Sequence, residues 1–132
     1  MIKALADTGA ETSIVSIEAI KVNKFKIMDR RDVDTSVIVA NKQRVHISEQ
    51  YLLRLVDKRG MEVDVWSYAM TCGYDLILGM NFLCSARQTI FDWRRKALTI
   101  VRTENSLTFD LVSTKSDSAK GVYTTRDLEL AK

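Results

Sequence analysis

Ala4-Leu5-Ala6-Asp7-Thr8-Gly9-Ala10 runs a short apolar segment straight into a carboxylate, a hydroxyl and a glycine. The apolar residues predict a strand that delivers Asp7 into a dry setting, where an ionised carboxylate is costly. Gly9 has no side chain, so another backbone can approach it closely. Thr8 supplies a hydroxyl able to donate and accept across such a contact. These residue types suit two copies of one loop meeting face to face, with their acids within hydrogen-bond reach. Two adjacent carboxylates cannot both ionise, so the pair holds one proton, and one member serves as base while the other serves as acid.

Such a dyad can hold a water, aim it at a carbonyl carbon and polarise the carbonyl oxygen. The chemistry is hydrolysis of a peptide bond through a tetrahedral gem-diol, with no metal and no cofactor. Competing mechanisms lack their parts, because the chain has one histidine, His46, and no evident triad. Asp75, ahead of an apolar run, reads as structural rather than as a second catalytic acid.

Composition sets the frame. At 132 residues and 46% hydrophobic content, the chain is long enough for one core and too short for two ordinary domains. We place a single domain over 1–112 and a polar, linker-like tail over 113–132. The net charge of +3, from 20 basic and 17 acidic residues, is scattered, which argues against a nucleic-acid binder. The basic clusters Arg30-Arg31 and Arg94-Arg95-Lys96 read as solvated turns. Trp66 and Trp93 read as core or interface residues rather than a stacking platform. Cys72 and Cys84 have neither zinc-site nor disulfide-framework spacing, and buried thiols in a reducing compartment are expected. Without an apolar run of membrane-spanning length or a signal-peptide stretch, no membrane role is expected, and the cytoplasm is the expected location.

Most of the remaining pattern is antiparallel β. Ser36–Ala40 and Arg44–Ile47 read as a hairpin around Asn41-Lys42-Gln43. Tyr51–Val56 and Met61–Tyr68 flank Asp57-Lys58-Arg59-Gly60, whose glycine suits a positive-φ position. Asp75–Gly79 is a short apolar strand, followed by about two helical turns over Met80–Ala86. Thr89–Trp93 and Ala97–Val101 form a further hairpin, and Leu107, Phe109 and Leu111 alternate as a last strand. From Val122 onward the tail is expected to be weakly structured or to await a partner.

ALADTGAETSIVS resembles the catalytic loop of the retropepsins, the retroviral-type aspartic proteases, and especially their gypsy-type retrotransposon members. A second segment, Tyr74-Asp75-Leu76-Ile77-Leu78-Gly79-Met80-Asn81-Phe82-Leu83, is similar to the family's ILG segment, which packs behind the catalytic loop and leads into a short helix. Ile90-Phe91-Asp92-Trp93 resembles the stretch after that helix in gypsy-type members. The resemblance covers about residues 4 to 101. It implies an all-β fold, a closed and mostly antiparallel barrel-like structure with one or two short helices, active as a symmetric homodimer. The single Asp-Thr-Gly agrees, since half a dyad per chain calls for a two-fold axis through the site.

The resemblance further implies Asp7, Thr8 and Gly9 as the catalytic loop, with Thr8 bonding across the axis. Ala10 and Glu11 would meet substrate, Asn41 and Lys42 would cover it from a flap, and Ser13, Leu78 and Gly79 would give support. The implied partner is an extended peptide or polyprotein, and the implied alternative to the cytoplasm is a retroelement particle. Lys42 departs from the pattern, standing where gypsy-type members often carry glycine, so a stiffer flap tip or a different turn register is expected. With six residues ahead of Asp7, the chain reads as cut from something longer, and the Leu107–Leu111 strand or the tail is expected to take over the subunit pairing that N-terminal strands would make. The rival reading is a retropepsin-like module that dimerises or binds peptides without cutting them.

Overall fold

A computed structural model describes residues 2–39, 41–113 and 128–131, the stretches 111–113 and 128–131 by backbone alone. The elements are β1 (Ala4–Ala6), β2 (Ile14–Ser16), α1 (Ile17–Lys21), β3 (Lys26–Ile38), β4 (Arg44–Val56), β5 (Glu62–Met70), β6 (Leu76–Leu78), α2 (Met80–Leu83), β7 (Gln88–Asp92), β8 (Ala97–Val101), β9 (Ser106–Ser113) and β10 (Leu128–Ala131). The strands join in the order β3-β4-β5-β2-β6-β1-β10-β9-β8-β7. Two of these pairings are parallel, β1 with β6 and β2 with β5. The rest are antiparallel, so the mostly antiparallel β architecture with short helices holds.

The expected closure does not form. β3 and β7 stand at opposite ends of the strand order, leaving an open sheet. The reason lies in the end strands. β3 carries Lys26, Asp29, Arg30, Arg31, Asp32 and Asp34 on a largely exposed ribbon, and charged edge strands resist further pairing.

Period-two alternation builds the core where one face is covered. On β5, Val63, Val65, Ser67 and Ala69 are buried while Glu62 and Asp64 are exposed. Leu76 and Leu78 of β6 and Leu98 and Ile100 of β8 belong to the same buried cluster as Ala4 and Ala6. Each fully buried Leu or Ile contributes about 1.5–3 kcal/mol. Small alanines in β1 let β6 and β10 lie on either side of it. Asp75 is structural: its carboxylate accepts the Lys3 N–H at 2.8 Å and pairs with Lys24 Nζ at 3.1 Å.

Two hairpins turn in the same way. In the β4–β5 turn the Asp57 N–H donates to Met61 O, the Gly60 N–H donates to Asp57 O, and Gly60 has φ +87°. In the β3–β4 turn the Val39 N–H donates to Gln43 O and the Lys42 N–H donates to Val39 O, with Lys42 at φ +65°. Beyond the tip Ile38 faces Arg44 and Val37 faces Val45, so no register shift separates the turn from the adjoining ladder. Lys42 instead occupies the left-handed position that glycine takes without strain.

Two expectations about elements need correction. The helix after Gly79 is one turn, Met80–Leu83, and not two. Residues 128–131, expected to be weakly structured, form β10 between β1 and β9. The linker reading of 114–127 lies outside the described residues. Of the thiols, Cys84 is exposed, not buried, and Cys72 is half-buried.

Candidate active site

β1 ends at Ala6, and the chain turns at once. The Asp7 N–H donates to Leu78 O at 2.9 Å, continuing the β1–β6 ladder, and the Ala10 N–H returns to Asp7 O at 3.2 Å. The Asp7 carboxylate folds over the turn, its Oδ1 accepting the Gly9 N–H at 2.9 Å. A Cβ on residue 9 would stand 3.2 Å from that same oxygen, so Gly9 leaves room for the acid. Asp7 is half-buried, while Thr8 and Gly9 are exposed. The setting is thus more open than the apolar approach from Ala4 to Ala6 implies, because those side chains pack into the sheet and the loop projects beyond it.

The loop is gripped from behind. Ser13, 1% exposed, accepts the Gly79 N–H at 3.0 Å and donates to Asn81 Oδ1 at 2.7 Å. The N–H groups of Met80 and Asn81 donate to Ala10 O and Glu11 O at 2.7 and 3.0 Å. The free N–H groups that open α2 are thereby spent on the carbonyls of the loop. Gly79 makes this approach possible, since a Cβ there would lie 2.3 Å from Thr12 O and 2.9 Å from Ala10 O. Asn81 Nδ2 donates to Trp66 O at 3.1 Å, tying the assembly to β5.

The residues singled out from the sequence fall into two groups. Asp7, Thr8, Gly9, Ala10, Glu11 and Ser13 form one loop with Leu78 and Gly79 against it. Asn41 and Lys42 stand elsewhere, at the tip of the β3–β4 hairpin, and among the described residues neither is hydrogen-bonded to the loop. Asn41 Oδ1 accepts the Gln43 N–H at 3.0 Å and so holds its own turn. Asn81 is the functional position that the sequence reading passed over. Its signal was its place: the second residue of a helix directly after the glycine, with an amide able to donate and accept at once.

Among the described residues no group of three or more His, Cys, Asp or Glu could hold a metal ion, and no helix is long and apolar enough to cross a membrane.

The loop that presents Asp7, backed by a strand–glycine–helix brace, lies in a mostly antiparallel sheet of retropepsin-like fold. Comparison with solved structures supports that class: the chain is similar to the retroviral protease-like domain of Ddi1 from Leishmania major, at 20% identity and a TM-score of 0.54, over 80% of this chain and 82% of that one. No protein-family model matches the sequence, and no curated protein matches it.

Proposed function

We propose that the chain is an aspartic endopeptidase completed by self-association, with Asp7 of each copy forming the dyad. The observation that carries this reading is the asymmetry of the loop. Its rear is clamped by Ser13, Gly79 and Asn81, while Asp7, Thr8 and Gly9 are presented outward. A carboxylate held in a fixed place and left accessible suits a second copy of itself, and a two-fold axis supplies one.

In that pair one Asp7 carboxylate takes a proton from a water as its oxygen attacks the peptide carbonyl. The protonated partner gives its proton to the carbonyl oxygen, leaving a gem-diol. Collapse of the gem-diol then breaks the C–N bond, with a proton delivered to the leaving amine. The substrate lies extended, paired strand-fashion between the loop at Gly9, Ala10 and Glu11 and the hairpin tip at Asn41 and Lys42. Processing of a retroelement polyprotein is the biological role this reading favours.

The test is cleavage of a peptide library at mildly acidic pH by the chain and by Asp7→Asn. Turnover should fall by about 10³-fold or more in the variant, since general acid–base groups contribute about 10²–10⁴. Equal behaviour of the two proteins would leave only a dimerising or peptide-holding module.

A further inference from the structure

The β7–β8–β9 end of the sheet carries a feature unrelated to the Asp7 loop. The β7–β8 ladder ends where Gln88 pairs with Val101, and Arg87 and Arg102 follow just beyond those two strand ends. Four other arginines pair with the chain's own carboxylates: Arg30 with Glu49, Arg54 with Asp64, Arg59 with Asp57 and Arg95 with Asp92. Arg87 and Arg102 have no side-chain hydrogen bond or ion pair among the described residues. Asp64, the carboxylate that the charge of Arg102 reaches, is already held by Arg54 through two bonds at 2.9 and 3.2 Å.

Both arginines line one cavity of about 330 Å³, together with Ser85, Thr103, Glu104 and Asn105. Its shape is fixed on two sides. The Arg102 N–H closes the β8–β9 turn onto Asn105 O at 2.8 Å, and Ser85 Oγ donates to Phe82 O at 2.6 Å, anchoring the other wall to α2. Glu104 neutralises one charge of the pair and leaves the lining net positive. That volume exceeds a lone oxyanion, since it corresponds to roughly ten waters.

We propose that this cavity is a binding site for an oxyanion carried on a small organic group, a carboxylate or a phosphoryl group. The two guanidinium groups would grip it, and the Thr103 hydroxyl and Asn105 amide would add donors. Two planar, always-charged forks lining one cavity are the donor set that such oxyanions match.

The test uses the whole chain, with inorganic phosphate and N-acetylglutamate titrated separately against a chloride series of equal ionic strength, read by backbone amide shifts. Saturable shifts centred on residues 85–88 and 101–106 are expected. They should weaken about tenfold or more in Arg102→Gln and vanish in Arg87→Gln/Arg102→Gln. The double variant, both of whose changed side chains are exposed, should also unfold at a higher temperature than the parent in chloride, because two neighbouring like charges are gone. A response to phosphate alone would assign a phosphoryl ligand, and a response to N-acetylglutamate alone a carboxylate ligand. A chloride series that reproduces the shifts, a double variant that keeps them, or no saturable shift with either anion would overturn the site.

Discussion

Asp7 and Ser13 show how little of a side chain's role lies in its identity and how much in its neighbours. Asp7 drew the reading of a catalytic acid because Thr8, Gly9 and a distant Leu78-Gly79 came with it. The need for Gly79 is steric, as a methyl there would fall 2.3 Å from a carbonyl oxygen of the loop. Asn81 could not be read in the same way, since its three bonds run to residues 11, 13 and 66, and no local pattern announces such partners. Ser67 was equally hidden. It occupies a core position on β5, 1% exposed, and its hydroxyl has no hydrogen-bond partner among the described residues. A buried hydroxyl without a partner costs about 1–3 kcal/mol. Ser67→Ala is therefore expected to stabilise the fold by about 1 kcal/mol, seen as a rise of about 4 °C in Tm; a fall in Tm would mean that the hydroxyl is satisfied.

At the scale of elements, turn chemistry was readable and strand length was not. Gly60 marked one hairpin, and Asn41 with Lys42 marked another, because left-handed backbone and Asx turns are local properties. β3 escaped notice over Lys26–Asp34 because no face of it is buried, so its charges show no alternation. α1 was missed as well, although Ser16 caps it, accepting the Ala19 N–H at 3.4 Å, with Glu18 in the first turn. A five-residue helix is too short for apolar periodicity to reveal it. Lys42 carries the strain of the β3–β4 turn. An L-residue in the left-handed region costs about 1 kcal/mol, part of which glycine gives back through its freer unfolded chain. Lys42→Gly should raise stability by about 0.5 kcal/mol, and Lys42→Val should lower it by about 1 kcal/mol or more, as read by urea midpoints. The opposite order would show that the turn has another conformation.

Across the whole molecule, the class of fold was legible and the order of its sheet was not. β1 at residues 4–6 pairs with β10 at residues 128–131, and no local signal spans that separation. A second long-range tie passes through Asp57, whose side chain is fully buried at the β4–β5 turn. Burial pushes its carboxyl up, but the N–H groups of Thr108 and Met61, the Arg59 guanidinium and the Arg59 N–H outweigh burial and hold it below the usual carboxylate range. Because the folded value is depressed, this contribution to stability is complete above the ordinary aspartate range near about pH 4 and is lost as pH falls through the folded value. Asp64 and Glu49, lowered chiefly by hydrogen bonds from Arg54 and Tyr51, act in the same sense. Stability should hold from neutrality to about pH 5 and then fall with acid, and Asp57→Asn should be less stable at neutrality with a flatter acid limb. A parent chain that keeps its neutral stability well below pH 3 would contradict this.

The central claim, that one chain holds half of a catalytic pair, is tested most directly by peptide-cleaving activity per chain across a wide range of protein concentration. We expect activity per chain to climb with concentration and level off as two-chain assemblies form, and added Asp7→Asn chain to suppress it by forming mixed pairs. Activity per chain that is constant while the molecular mass stays that of a single chain, or no cleavage from a fully assembled pair, would contradict it.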